Sequence, residues 1–237
     1  MDSGIAPLPA RTVTAIRRFV DEDERVIERE ALADPNGHGT VVAGIIAAAT
    51  RPPQLLIAQV LNAHGRCTAA VLAAAIDWAL AERAQLLHLS VGLLQDRGVL
   101  RSAVARALAS GVLIVAATPA RGRTVYPAFY PGVIRASGDA RCSREEISHL
   151  GAHSVDFGAC PLHASGPQRV FRGASIGAAH LSRFIVSHVG AGLAAAATRE
   201  TLTRLAAFHG RERHHRPPTH GQRQPGCPDP RDAPPAR

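Results

Sequence analysis

Lysine is absent from this chain, and all 27 of its basic side chains are arginine. A formal net charge of +8 would ordinarily point to nucleic acid or an acidic surface. The arginines are dispersed, however, among many Ala, Gly and Pro residues, and aromatic residues make up only 4% of the chain, too few to stack bases. A nucleic-acid partner is therefore not expected. Long apolar runs are missing as well: no stretch of about 18 residues is free of charge, so no transmembrane helix and no membrane partner are expected. The four cysteines, Cys67, Cys142, Cys160 and Cys227, show no CxxC spacing. This argues against a zinc or redox motif and reads as free thiols in a reducing compartment. No secretory signal is visible, since Asp2 follows Met1 directly, and the expected location is cytoplasmic. The sequence sets no oligomeric state.

A chain of 237 residues suits one domain with its own core. Residues 12–20 read as a strand or short helix, and 21–30, where Glu and Arg interleave, as a solvated helix. From residue 54 the pattern alternates. Residues 55–61 read as a buried strand, and 68–84 as a helix with Val71, Leu72, Ala75, Ile76, Ala79 and Leu80 on one face. Further strands are expected at 86–93, 112–117 and 133–136, with a helix at 99–109. Such alternation implies a parallel sheet covered on both faces, with ligands at the carboxyl ends of its strands. Residues 139–170 read as loops with one or two short strands. His149, His153 and His163 are spaced too irregularly for a metal site. A second Ala-rich helix is expected at about 191–208. The tail 209–237 has seven prolines and four histidines and should be disordered.

Two segments carry chemistry by residue type alone. His38 stands between Gly37 and Gly39, and an uncharged run of small and apolar residues follows it as far as Ala49. The glycines permit a tight turn, and the buried helix behind supplies the rigid support a reactive imidazole needs. Ser175 opens a second apolar helix, where free backbone N–H groups and the helix dipole favour a developing anion. A plain N-cap is the simpler role for that serine. The segment also fits G-x-S-x-G, the nucleophile elbow of α/β-hydrolases, but those enzymes place the acid and histidine after the serine. Asp2-Ser3-Gly4, taken alone, is a common turn tripeptide.

At this point the chain resembles the subtilisin-like serine proteases, or subtilases. Their histidine motif, His-Gly-Thr-x-Val-Ala-Gly, is matched at every specified position from His38 to Gly44. Their catalytic aspartate stands in Asp-Ser/Thr-Gly, as does Asp2, and the order Asp…His…Ser is kept by Asp2, His38 and Ser175. In the serine motif Gly173, Ser175 and His180 match, whereas Ala174, Ile176, Gly177 and Ala179 depart. The resemblance implies a subtilisin-like three-layer α/β fold, with a mostly parallel sheet between helices, over residues 1–208. It implies hydrolysis of peptide bonds through an Asp2–His38–Ser175 triad, with Ser90, Val91 and Gly92 pairing with an extended peptide or protein substrate. One oxyanion donor would be the Ser175 backbone N–H. Ala120 falls where the family has its donor asparagine, and Arg121 is a candidate replacement. Neither a cofactor nor a metal is expected, because the segment between Ala49 and Leu55 is too short for a calcium loop.

A further departure is that only Met1 precedes Asp2, where the family has an apolar central strand. An aspartate so placed is expected to be poorly held, so the true start is expected to lie upstream of Met1, the alternatives being a strand supplied by a partner chain or a degraded site. Two readings follow: a serine endopeptidase, slow or dedicated to one substrate, and an inactive descendant that binds peptides.

Overall fold

In the computed structural model, residues 1–6, 12–165, 169–190 and 195–212 are described. In chain order the elements are β1 (Val13–Glu22), β2 (Arg25–Arg29), α1 (His38–Ala47), β3 (Leu55–Gln59), α2 (Ala69–Ala81), β4 (Leu86–Leu89) and α3 (Gly98–Ala109). There follow β5 (Leu113–Ala117), β6 (Ile134–Gly138), β7 (Ile147–Ala152), β8 (Val155–Ala159), β9 (Leu162–Ala164) and β10 (Val170–Arg172). The described chain closes with α4 (Ala174–His188), α5 (Ala195–Leu205) and β11 (Phe208–His209).

The main sheet runs β11-β7-β8-β6-β5-β4, and all its pairings are parallel except β7 with β8. Its central strands read as continuous apolar runs because both faces are covered. In β5, Leu113, Val115 and Ala117 pack with Leu181 and Ile185 of α4 and Leu202 of α5. The alternate residues Ile114 and Ala116 join Leu72 and Ile76 of α2 and Leu100 and Val104 of α3. The period-two geometry of a strand thus divides one apolar run between two helical layers. Each fully buried Leu or Ile contributes about 1.5–3 kcal/mol, so this division is the main source of stability.

Three expectations need correction. Residues 21–30 form no helix: β1 turns through Asp23 and Glu24, both at positive φ, and returns as antiparallel β2. Their charges pair across strands, Glu22 with Arg29 at 2.7 Å, where the sequence suggested pairing along a helix. Residues 139–170 hold β7, β8 and β9 rather than one or two short strands. The second helix ends at Leu205 rather than at about 208, and His209, expected to open a disordered tail, extends the sheet by pairing with His149. The tail from 213 onward lies outside the described residues.

A second sheet, β2-β1-β3, stands beside the first, with β3 parallel to β1. The two sheets meet at Met1 and Asp2. The Asp2 amide donates to the Ala58 carbonyl at 3.1 Å, and its carbonyl accepts from the Val60 amide at 2.9 Å. The Met1 ammonium donates to the His88 carbonyl at 2.9 Å, and the Ser90 amide donates to the Met1 carbonyl at 3.3 Å. Asp2 is therefore buried and held from both sides, contrary to the expectation that it would be loose.

Candidate active site

The start of α1 is built to fix His38. The first amides of a helix have no partner within it. Here the His38 amide donates to Asn36 Oδ1 at 2.9 Å, that of Gly39 to Ser3 Oγ at 3.0 Å, and that of Thr40 to Asp34 Oδ2 at 2.8 Å. Ser3 in turn donates to Asp34 Oδ1 at 2.8 Å, tying the Asp2 loop to the helix start. Gly37, at φ 74°, makes the turn that lets the helix begin at His38. Sequence reasoning missed Asp34 and Asn36. The signal was present, since Asp and Asn before a helical run are common capping residues.

His38 Nδ1 lies 2.8 Å from Asp2 Oδ1 and 3.0 Å from Oδ2. Burial alone would raise the Asp2 pKa, but the hydrogen bond and charge of His38 and the Ser3 amide at 2.7 Å hold it below the usual carboxylate range. The same contact raises His38 above its ordinary value against the opposing effect of burial, and Asp34 adds to the rise. Among the described residues nothing hydrogen-bonds Nε2, so the ring is anchored at one nitrogen and open at the other.

Ser175 is the second residue of α4 and is half-buried. Helices α1 and α4 pack together through a cluster of Val41, Val42, Ile45 and Ile46 with Ile176 and Ala179. Phe171, just before Gly173, sets its ring 6.3 Å from that of His38. The sequence thus brings the two helix starts, which carry His38 and Ser175, to one side of the molecule. The amides of Ala174, Ser175 and Ile176 have no acceptor among the described residues, and these are the groups an oxyanion needs.

Ser90, Val91 and Gly92 continue from β4 toward this side. Val91 is buried, Gly92 is exposed, and Leu93 forms an antiparallel bridge to Tyr126. Beneath them lies a network that the sequence did not reveal: buried His88 contacts Ser90 Oγ at 2.8 Å through Nε2 and Ser182 Oγ at 3.0 Å through Nδ1. Burial, aided by the Met1 ammonium, drives the His88 pKa down to about 3, so the ring is neutral. Ala120 and Arg121 are exposed in the loop after β5, and Arg121 makes no hydrogen bond or ion pair with described residues. Among the described residues no three His, Cys, Asp or Glu side chains are grouped to hold a metal, and no helix is long and apolar enough to cross a membrane.

The family model described as Subtilase family matches residues 1–190. The thermostable alkaline protease of Halalkalibacterium halodurans is 31% identical over 163 residues, or 64% of this chain and 44% of that protein. Subtilisin DY of Bacillus licheniformis is 33% identical over 135 residues, covering 50% and 49%. The minor extracellular protease Epr of Bacillus subtilis is 36% identical over 116 residues, covering 44% and 18%. The chain thus spans about half the length of two of these relatives and a smaller share of the third.

Proposed function

Because this chain belongs to the subtilase family, we propose that it is a serine endopeptidase, slow or dedicated to one substrate, that works through Asp2, His38 and Ser175. The observation that carries this reading is the contact of His38 Nδ1 with the buried Asp2 carboxylate at 2.8 Å. It fixes the tautomer that leaves Nε2 unprotonated and able to accept a proton.

Ser175 Oγ attacks the carbonyl carbon of the scissile bond while His38 Nε2 takes its proton. Asp2 stabilises the imidazolium and stays ionised. The oxyanion is received by the free amides at the start of α4, aided by the helix dipole. Collapse expels the amine, which takes the proton from His38 and leaves an acyl group on Ser175. Water, deprotonated by the same imidazole, then releases the acid. With Ala120 in place of a side-chain donor, turnover should fall roughly 100- to 1,000-fold below that of a site holding both donors.

Ala120 also favours the second reading, an inactive descendant that binds peptides in the cleft along Ser90–Gly92. Incubating the purified chain with a denatured protein and sequencing the new amino termini tests the choice. New termini that disappear with Ser175→Ala support the peptidase. None from a folded sample supports the binder.

A further inference from the structure

The arginines are dispersed along the sequence, but the fold gathers four of them around the cleft. β4 and β5 run parallel, so the segments that follow them leave at one end of the sheet, and the Leu93–Tyr126 bridge ties these segments together. Ser90–Gly92 lies on the first segment, and Arg121 and Arg123 stand exposed on the second. Arg66 is exposed on the loop after β3, which leaves from beside Asp2, since the Val60 and Leu61 amides both donate to the Asp2 carbonyl. Arg172 pairs with Leu162 on the exposed face of the β9–β10 hairpin. Its neighbour Phe171 faces the ring of His38, and Gly173 leads into the helix of Ser175. The guanidinium groups of Arg66, Arg121, Arg123 and Arg172 make no hydrogen bond or ion pair with described residues.

The cleft has almost no negative charge to set against them. Segments 60–68, 90–97, 118–127 and 160–173 hold a single acidic residue, Asp96, which is engaged by Arg101 and by the Tyr130 hydroxyl at 2.8 Å. Of the acids beside the site, Asp2 is held by His38, and Asp34 by Ser3 and Thr40. Asp139, after β6, pairs with Arg141 at 2.7 Å. The four arginines therefore set the local potential, and a cleft with low-dielectric walls concentrates it on whatever enters. Each guanidinium presents a planar fork that fits a carboxylate. Nucleic acid fits less well, because Tyr126 and Phe171, the aromatic residues of these segments, are half-buried and leave no exposed ring to stack a base.

We propose that the cleft selects acidic peptides, binding segments that carry Asp or Glu on both sides of the carbonyl presented to Ser175. Main-chain pairing along Ser90–Gly92 grips any extended peptide, and the arginines choose among them. Exposed ion pairs are individually weak, so selectivity comes from several acting together. Acids within about three residues of the bound carbonyl count, since an extended residue spans ~3.3 Å and salt screens contacts beyond ~10 Å. The preference deepens the proposed function and rests on its cleft, whether the bound peptide is cut or only held.

The probe is the peptide acetyl-Ala-Glu-Asp-Ala-Val-Ala-Glu-Asp-Ala-amide carrying an uncharged dye, compared with its counterpart in which Gln and Asn replace Glu and Asp. Titrated with the whole chain bearing Ser175→Ala, the acidic peptide should bind at least tenfold tighter by fluorescence anisotropy at low salt, or about 1.4 kcal/mol. The difference should shrink below about threefold in 0.5 M NaCl. Combining Arg66→Gln, Arg123→Gln and Arg172→Gln should shrink it similarly, with circular dichroism near that of the parent. The proposal is overturned by equal binding of the two peptides, by no binding of either up to about 1 mM, or by a full difference in the triple variant. Tighter binding of an oligothymidylate of equal charge overturns it in favour of nucleic acid. In the parent, the new termini cut from a denatured protein should have Asp or Glu close to most cut bonds. Cuts without that enrichment overturn the preference and leave the peptidase. Acid-selective binding with no cuts keeps the preference and overturns the peptidase alone.

Discussion

Gly39 and Gly4 touch backbone to backbone: a Cβ on Gly39 would stand 2.2 Å from the Gly4 carbonyl oxygen and 3.2 Å from Asp2 Cβ. The glycine after His38 is therefore what allows α1 to approach the aspartate loop closely enough for the 2.8 Å contact with Asp2. Gly39→Ala should push that loop away. We expect labelling of Ser175 by a fluorophosphonate to slow at least 100-fold, since a misplacement of about 1 Å costs that much. Circular dichroism should stay near that of the parent. Unchanged labelling would mean that the Asp2–His38 contact is not needed.

The raised pKa of His38 sets a pH profile. Only the neutral ring can act as base, so labelling should rise with pH through a midpoint above about 6.5, the ordinary histidine value. Asp2→Asn removes the carboxylate that causes the rise. Its midpoint should fall, and its plateau rate should drop by about 10⁴. The contact also links to stability: its contribution is complete below about pH 6.5 and is lost as pH rises through the raised value. An identical midpoint in the parent and in Asp2→Asn would refute the assignment of Asp2.

Ala120→Asn tests the missing donor. If the loop after β5 can present an amide to the oxyanion, turnover on a peptide ester should rise by roughly 100- to 1,000-fold with little change in KM. Arg121→Ala in the parent asks whether the neighbouring guanidinium already fills that role. A fall in turnover would assign it, and no change would end the idea.

Two buried imidazoles should make the fold sensitive to mild acid. His88 is held down to about 3 by burial and then by the Met1 ammonium, and His180 to about 4 by burial and then by His163, Arg183 and Arg144. Both stay neutral in the native state while their unfolded counterparts take up protons below about pH 6.5. Stability should thus fall as pH drops from 6.5 to 5, by up to ~1.4 kcal/mol per unit for each ring. Urea midpoints measured across that window should show a shallower slope for His88→Asn. An unaltered slope would contradict a neutral, buried His88.

Much of this architecture was legible because one periodicity governs each element. Continuous apolar runs announced β3, β4 and β5, and the Ala-rich faces announced α2 and α3. Residues 21–30 misled because Glu and Arg at helical spacing also fit cross-strand pairing, and the turn at Asp23–Glu24 contains neither Gly nor Asn. Residues 139–170 hid their strands because β8 buries Asp156, which binds Arg135 at 2.5 Å and Arg199 at 2.8 Å. In the site, glycines and residue order pointed to His38 and Ser175. The departure at Gly177 acquires a reason only in three dimensions, since a Cβ there would stand 2.3 Å from the Ser137 carbonyl oxygen. The His88–Ser182 contact joins residues 94 apart, and no local pattern encodes it.

The central claim is that Ser175 is an activated nucleophile. Treating the purified chain with a fluorophosphonate and reading its intact mass tests this most directly, with Ser175→Ala as the control. The account predicts one adduct on the parent and none on the variant. An unmodified parent with intact circular dichroism would contradict it.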